Sequence, residues 1–323
     1  MTLTKQTREK NKLSFAAVIL GVLSLVTLFL LLRAPTVTYT RMSEALNLCT
    51  KTLIPSLFPF MVVSELLLSG DCADLLSPIL RRPAKFLFGI SGEGAVAVLL
   101  GAFCGFPIGA KGAMALYKGG RIDGDEVTRI IAISSIPSAP FLISTVGSTM
   151  FGNSYVGLQL LAASLISSSI IGVILKNVKL RSTRNGQRYA DAKVTSGQST
   201  AHLITTAISS SALSMLYICA FLTFFSTLVG VAEYSLSALS LSDGTRALSL
   251  GFFELTGGIR RASEIEGVGL YLAAAVSGWS GLSVHFQIIS VCSGCNISYK
   301  PYFFSKLGSA ALTTILMGLL QLL

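Results

Sequence analysis

Two short segments combine helix-breaking residues with polar side chains in apolar surroundings. Residues 101–111 contain three glycines and a proline before Lys111, and residues 277–287 contain Gly281, His285 and Gln287. A broken helix leaves backbone N–H groups without partners, and these groups together with a lysine favour an anion such as a carboxylate or phosphate. A neutral imidazole and an amide can hydrogen-bond such a ligand, and the imidazole can also carry a proton. The pattern therefore indicates recognition of a small charged ligand.

The two segments resemble each other when Gly105 is aligned with Gly281 and Lys111 with Gln287. Paired interruptions at corresponding positions in two halves of a membrane chain point to a transport site. We therefore predict one binding site formed by both halves. The predicted substrate-binding residues are Gly105, Pro107, Gly109, Lys111, Ser138, Gly281, His285 and Gln287.

Glu254 and Ser138 lie beside helix breakers. Glu254 precedes two glycines in an apolar run, and we predict that it couples an ion or a proton; an ion pair with Arg260 or Arg261 is the alternative. Ser138 lies between two prolines, which free backbone carbonyls that can take a cation or a ligand hydroxyl. A proline kink that serves packing alone is the alternative at Ser138.

The polar residues also have purely structural interpretations. Lys111 could extend its head group to water from the end of a hairpin. His285 and Gln287 could form interhelical hydrogen bonds, which contribute about 0.6–2 kcal/mol. A charge at the middle of a membrane costs at least about 2.5–3.5 kcal/mol on insertion scales, so charged residues there usually have a function. A functional role is therefore our hypothesis for each charged group.

The composition is that of a chain embedded in a lipid bilayer. Hydrophobic residues make up 52% of the chain and charged residues 12%, against about 25% charged residues in soluble domains. A helix needs about 20 apolar residues to cross the hydrocarbon core. The sequence predicts an all-α integral membrane protein, a polytopic helical bundle. The candidate spans are residues 13–32, 53–68, 127–150, 155–175, 203–231 and 303–323.

Two apolar regions are too often interrupted by glycine to be simple spans. These are residues 86–117 and 245–292, and irregular backbone at membrane depth must be buried in protein or line a wet cavity. We predict that each forms a re-entrant helical hairpin, in two repeats of inverted topology. The predicted divisions are a basic tail and first span (1–43), a first repeat (44–176), a basic cytoplasmic linker (177–202) and a second repeat (203–323).

The net charge of +10 is explained by topology, and no nucleic-acid partner is expected. Basic residues concentrate in the N-terminal tail and between residues 176 and 193. Lysine and arginine accumulate in the cytoplasmic loops of membrane proteins. We therefore expect the tail and the linker to be cytoplasmic.

Catalytic and cofactor-binding patterns are absent from the sequence. GxxxxGK[ST], GxSxG and HExxH do not occur, and two histidines cannot form a histidine metal cluster. The single CxxC at residues 292–295 has no second pair, which makes a zinc site a weak interpretation. We expect neither an enzyme nor a bound cofactor or metal.

Four ordered motifs resemble the YlbJ family of sporulation integral membrane proteins. They are GFPIGAK at residues 105–111, the stretch 137–147, FELTGG at 253–258 and GLSVHFQ at 281–287, and the resemblance covers residues 44–323. The family belongs to the nucleoside-recognition Gate group, which is related to concentrative nucleoside transporters. The chain departs from the family at Ser134 and Ser135, where relatives tend to carry asparagine.

The resemblance implies a multi-pass protein in a membrane around the forespore of a spore-forming bacterium. Its implied activity is movement of dipicolinate, a small aromatic dicarboxylate. The paired breaks predict that this movement occurs by alternating access at a midplane site. The implied partners are a small anionic substrate and the lipid bilayer, with a second copy of the chain or other sporulation membrane proteins as further candidates. A nucleoside or nucleobase carrier and a non-transporting protein of envelope assembly are the alternatives.

Overall fold

The computed structural model describes residues 15–69, 72–178, 199–235, 241–293 and 297–322. Every regular element in these ranges is helical, which confirms the predicted all-α class. The α-helices are α1 (Phe15–Arg33), α2 (Pro35–Leu48), α3 (Ile54–Ser69), α4 (Cys72–Phe88), α5 (Gly92–Cys104), α6 (Phe106–Lys118), α7 (Gly124–Ser134), α8 (Ser154–Lys176), α9 (Thr200–Ser235), α10 (Asp243–Phe253), α11 (Leu255–Ser263), α12 (Gly269–Trp279), α13 (Leu282–Val291) and α14 (Tyr299–Leu320). Two π-helical segments cover Cys49–Leu53 and Phe141–Met150.

Five helical runs in the described residues are long and apolar enough to cross a membrane. Three of them, α8, α9 and α14, confirm spans predicted from the sequence, with ends shifted by a few residues. The span predicted at 53–68 is only the second part of a helical run that begins at Pro35 and ends at Leu67. The predicted first span corresponds to α1, an apolar helix that covers Phe15–Arg33 in the described residues.

The surface of α1 shows why this fold needs a bilayer. Leu20, Leu25 and Leu32 are each about two-thirds exposed or more, at 67%, 68% and 71%. Soluble proteins rarely expose contiguous apolar surface of this extent. Contact with lipid tails removes that cost, so α1 is stable on the outside of the bundle.

The first glycine-rich region contains a hairpin, as predicted. The chain reverses at Gly105, where φ is +92°, a value that a residue with a side chain rarely adopts. The arms α5 and α6 meet at Gly101 and Gly109, and a Cβ placed on Gly101 would lie 2.9 Å from the Gly109 Cα. In one straight helix these residues would be about 12 Å apart. The absence of side chains lets the two backbones touch, which closes the hairpin.

The second hairpin consists of α10 and α11, and its tip is Glu254. A Cβ placed on Gly258 would lie 2.2 Å from the Gly251 Cα, so these arms also touch through glycines. The helices α12 and α13 do not form this hairpin. They follow one another as a single candidate span, Gly269–Val291, which is broken at Ser280 and Gly281.

The predicted alignment of Gly105 with Gly281 is therefore wrong. Gly105 lies at a hairpin tip, whereas Gly281 lies at a break in a spanning helix. The physical reason is that both kinds of interruption use glycine for a positive φ, so local composition does not distinguish them. Gly105 corresponds in the fold to Glu254, because each lies between two glycines that bring the arms of a hairpin together.

Each hairpin tip contacts the break in the helix that follows it. The span predicted at 127–150 is divided into α7 and the second π-helical segment, and a Cβ on Gly105 would lie 3.1 Å from the Ser138 Cβ in this break. In the second half, a Cβ on Gly281 would lie 2.9 Å from the Leu255 N. The order hairpin, broken helix and unbroken helix thus occurs twice, ending with α8 and with α14.

The two ends of the bundle carry different polar groups. At one end, Lys176 donates a 2.6 Å hydrogen bond to the Phe86 carbonyl and lies beside the arginines of α4. At the other end, Arg41 of α2 is 3.9 Å from Glu233 of α9. The basic tail before residue 15 and most of the predicted linker, residues 179–198, lie outside the described residues.

Substitution of Gly109 should test the hairpin contact. A Cβ there would lie 2.3 Å from the Ser134 Oγ and 2.4 Å from its Cβ. We expect Gly109→Ala to lower the free energy of unfolding by about 1–3 kcal/mol, the usual cost of overpacking. Thermal unfolding in detergent measures the effect.

Gly21→Ala is the matched control, because Gly21 also lies in a helix but a Cβ there would meet nothing within 4 Å. Both substitutions bring the same gain in helix propensity, so their difference isolates the steric effect. Equal unfolding temperatures for the two variants would contradict the hairpin packing.

Candidate functional site

A small cavity lies where the two hairpin tips meet the two broken helices. This central cavity has a volume of about 60 Å³, enough for a few water molecules. Side chains of α3 and α9 form an apolar wall, which includes Leu57, Met61, Ile218 and Leu222. Its polar lining residues are Ser138, Glu254, Thr256, Ser283 and Gln287.

Four helical segments begin at the central cavity. α6 begins at Phe106, the second π-helical segment at Phe141, α11 at Leu255 and α13 at Leu282, and residues of each first turn line the cavity. The N-terminus of a helix carries the equivalent of about half a positive charge. Four such ends around one small volume favour an anion there. This arrangement follows from the chain breaks, because each break starts a new helix at the same place.

Two of these four N-termini have no side-chain cap. The residues before α6 and α13 are Gly105 and Gly281, which offer no side chain to their amides. The other two are capped: the Ser138 Oγ accepts a hydrogen bond from the Phe141 N at 3.3 Å. Uncapped N–H groups need an acceptor from elsewhere. At the start of α6, Pro107 has no N–H and the Ile108 N donates to the Gly105 carbonyl at 3.2 Å, so the Phe106 N–H is the donor left for an anion. The first amides of α13 are the corresponding donors in the second half.

Glu254 caps α11 with its own carboxylate. Its two oxygens accept hydrogen bonds from the Thr256 N at 2.7 Å and the Gly257 N at 2.5 Å, and the residue is 3% exposed. The alternative of an ion pair with an arginine of α11 is wrong for the described geometry. Arg261 instead contacts Asp243 and Glu264, each at 2.9 Å.

Three cavities follow one another along α9. On one side of the central cavity lies a vestibule of about 260 Å³, which shares Glu254 with it. On the other side lies a lower pocket of about 150 Å³, which shares Pro107 and Gln287. The α9 residues that line the three are Ser226, Gly230 and Glu233 for the vestibule, Ile218 and Leu222 for the central cavity, and Leu213, Ser214, Tyr217 and Phe221 for the lower pocket. We call this row of three cavities along α9 the route.

The vestibule is charged and the other two cavities are mainly apolar. Arginines and glutamates both line it, so neither sign dominates; these residues are Arg41, Glu44, Glu233, Arg246, Glu254, Arg260, Arg261 and Glu264. Ser210, beside the lower pocket, and Glu233 of the vestibule are about 35 Å apart along α9 at 1.5 Å per residue. The route is therefore about as long as a bilayer core is thick, ~30 Å.

Lys111 lies in the lower pocket and not at the central cavity. Its Nζ is 2.8 Å from the Glu65 Oε1 and 2.9 Å from the Ser210 Oγ, and the Ser210 hydroxyl also donates to Glu65 at 2.8 Å. The side chains of Lys111 and Glu65 are 26% and 15% exposed. The lysine is thus held by a partly buried ion pair rather than extended freely into water.

His285 also lies away from the central cavity. Its Nδ1 is 2.8 Å from the Tyr302 hydroxyl, and the rings of Trp279, Tyr302 and Phe303 pack around the imidazole. It is 1% exposed. The imidazole is therefore directed at α14, whereas Gln287, on the same helix, lines both the central cavity and the lower pocket.

The structure brings together part of the predicted site. The predicted residues that line the central cavity are Gly105, Pro107, Ser138, Glu254 and Gln287. Those that do not are Gly109, Lys111, Gly281 and His285. Gly109 and Gly281 act instead through backbone packing, against Ser134 and Leu255.

Sequence reasoning missed three polar residues near the helix breaks. Thr256 and Ser283 line the central cavity. Each is the second residue of its helix, two residues after Glu254 or Gly281. The helix breakers at these two positions were therefore a signal for both residues. Lys306 is fully buried in a predicted span, and its charge alone was a signal. In the described part of the chain, no group of three histidine, cysteine or acidic side chains is arranged to hold a metal ion.

A double-mutant cycle on Lys111 and Glu65 should show whether Lys111 is held in an ion pair with Glu65 or is free to contact an anion. Because both side chains are largely buried, we expect Lys111→Met and Glu65→Gln to couple by about 0.5–3 kcal/mol in unfolding free energy. The more exposed pair Arg261 and Asp243, 2.9 Å apart, is the control and should couple by at most about 1 kcal/mol. Strict additivity at Lys111 and Glu65 would contradict the ion pair.

Comparison with known proteins gives one informative match. The chain is 24% identical over 338 positions to the sporulation integral membrane protein YlbJ of Bacillus subtilis strain 168, covering 93% of this chain and 83% of that protein. No protein-family model matches the chain, and no solved structure does. The match extends over nearly the whole helical bundle. The relative is named as an integral membrane protein, which agrees with the five helical runs in the described residues of this chain that are long and apolar enough to cross a membrane. The match confirms the resemblance to sporulation integral membrane protein YlbJ that the four motifs indicated.

Proposed function

We propose that the protein is a translocator of a small anionic solute and that dipicolinate is its cargo. The observation that carries the proposal is the convergence of four helix N-termini on the central cavity. Positive backbone ends in a site shielded from water attract an anion without any charged side chain. We propose a carrier rather than an enzyme, acting in a membrane that surrounds the forespore.

An aromatic dicarboxylate suits the chemistry of the cavity. Its two carboxylates would accept from the uncapped amides at the starts of α6 and α13. Its flat ring would lie against the apolar wall formed by α3 and α9. Ser138 and Gln287 would add hydrogen bonds at the edge of the ring. The two helix N-termini come from different halves of the chain, so one solute would bind both.

Transport would require the hairpins to move. A cavity of about 60 Å³ is too small for a molecule with a six-membered ring and two carboxylates, since ligand pockets typically measure ~300–1,000 Å³. The contacts of Gly105 with Ser138 and of Gly281 with Leu255 would therefore open in turn. We propose that the two halves are inverted repeats, so that one hairpin opens to the vestibule and the other to the lower pocket.

Glu254 would couple solute movement to a proton. Its carboxylate borders both the vestibule and the central cavity, so an arriving anion would meet a like charge. Protonation of Glu254 would remove that repulsion and free the amides of Thr256 and Gly257. Solute and proton would then occupy the site together.

Two predicted residues would act outside the central cavity. Lys111 would contact the solute in the lower pocket once its ion pair with Glu65 opens. His285 would hold α13 against α14 through Tyr302. Association with a second copy of the chain or with other sporulation membrane proteins remains a further proposal.

The anion site should be blocked by a carboxylate placed within it. Ser283 lies in the first turn of α13 and lines the cavity, where an aspartate also stabilises a helix. We expect Ser283→Asp to reduce dipicolinate uptake into proteoliposomes at least about tenfold, one power of ten for each 1.4 kcal/mol of lost anion binding. Ser283→Asn, of the same size and without charge, should retain most of the flux.

Unlabelled solutes identify the cargo in the same assay. Inhibition by dipicolinate but not by uridine supports the dicarboxylate, and inhibition by uridine favours a nucleoside carrier. Equal flux through the aspartate and asparagine variants would contradict the anion site. No flux of any of these solutes through wild-type protein would favour a non-transporting role in envelope assembly.

Substitution of Glu254 should uncouple the carrier from protons. Glutamine has nearly the same shape but cannot take up a proton, so Glu254→Gln should make dipicolinate flux insensitive to an imposed pH gradient. Flux through the wild type should rise when the gradient drives protons in the direction of uptake. A Glu254→Gln variant with an unchanged response to the gradient would contradict the coupling role.

A further inference from the structure

A lysine without a carboxylate partner is buried at the break of the first half. Lys306 of α14 is 1% exposed, and its Nζ donates a hydrogen bond to the Ser135 carbonyl. In the described part of the chain, no acidic side chain forms an ion pair with it. A lysine buried in this way is costly, and such residues are usually functional.

The acceptor of this hydrogen bond is the negative end of a helix. α7 ends at Ser134, and Ser135 is its C-cap, so the Ser135 carbonyl belongs to the group that carries the equivalent of about half a negative charge. Prolines at the break prevent the chain from continuing the helix and satisfying this end. A cation is therefore the complementary group for the end of α7.

A buried hydroxyl accompanies the carbonyl at the break. The Ser135 Oγ is buried, and the Tyr302 hydroxyl of α14 lies beside it. The neighbouring Ser134 side chain packs instead against Gly101 and Gly109 of the first hairpin. Carbonyl and hydroxyl oxygens are the ligands that broken transporter helices offer to a coupling cation. The break thus has oxygens suited to a cation, and an ammonium group reaches it from α14.

We propose that Lys306 is a tethered cation that fills a cation-binding site at the break of α7. The ammonium group takes the place that a free monovalent cation would occupy against the Ser135 carbonyl at the end of α7. The other titratable groups near it are His285 and Tyr302, which are hydrogen-bonded to each other, and neither supplies a negative charge in its neutral form. The inference concerns a site distinct from the central cavity and does not require a particular solute.

The position of Lys306 on α14 has a second consequence. Tyr302 and Lys306 are four residues apart, so they lie on the same face of α14. Tyr302 contacts α13 through His285, and Lys306 contacts the end of α7. α14 therefore joins the broken helices of both halves through buried hydrogen bonds. Loss of the Lys306 ammonium would remove the bond to the end of α7.

Chemical rescue tests the tethered cation directly. Lys306→Ala removes the equivalent of a propylammonium ion, and we expect the purified variant to unfold several degrees below the wild type. n-Propylammonium chloride should restore most of this loss, and 1-propanol, which has nearly the same shape and no charge, should not. Sodium chloride should also stabilise the variant more than choline chloride does. Lys300→Ala, at an exposed lysine of the same helix, is the control and should respond to none of these additions.

The outcomes separate charge from packing. Rescue by propylammonium alone supports the proposal, whereas equal rescue by 1-propanol, or no loss of stability on substitution, overturns it. If Lys306→Ala cannot be purified, Lys306→Met decides: this variant fills the space without a charge, and wild-type stability in it overturns the proposal. Because unfolding is measured without solute, a failure of dipicolinate transport and a failure of the cation site are seen separately.

Discussion

The fold depends on one constraint, which is that backbone groups freed at a helix break must find partners inside the protein. A bilayer offers no water to N–H and C=O groups, and each group left unsatisfied costs several kcal/mol. The chain has four such interruptions around the central cavity. Ser138, Glu254 and Lys306 satisfy groups at three helix ends, and the proposed ligand would bind at the uncapped ends of α6 and α13. Structure and binding thus arise from the same requirement.

Glycine contacts make this convergence of helix ends feasible. Gly101 with Gly109, and Gly251 with Gly258, allow the arms of each hairpin to approach with no side chain between them. The tips can then reach the broken helices, where Gly105 meets Ser138 and Leu255 meets Gly281. A larger residue in the hairpin arms would separate them and move the helix ends away from the cavity.

The sequence predicted the elements better than their pairing. Long apolar runs such as α8 and α14 were evident because span length depends on composition alone. Hairpin tips and broken spans were confused, since both are short glycine-containing interruptions. Lys111 was recognised as unusual, but its partners Glu65 and Ser210 lie on distant helices. Only the tertiary fold brings such partners together, and a single sequence carries no signal for them.

Glu254 has one more consequence, which concerns how tightly the proposed carrier would hold its solute. The Glu254 carboxylate already accepts hydrogen bonds from the first amides of α11. Because it is part of the chain, it competes for these amides at a very high effective concentration with any anion in the central cavity. A binding site that is free for only a fraction of the time shows an apparent affinity reduced by that fraction. A weak, rapidly emptied site suits the movement of an abundant solute in bulk, where release limits the rate more than capture does.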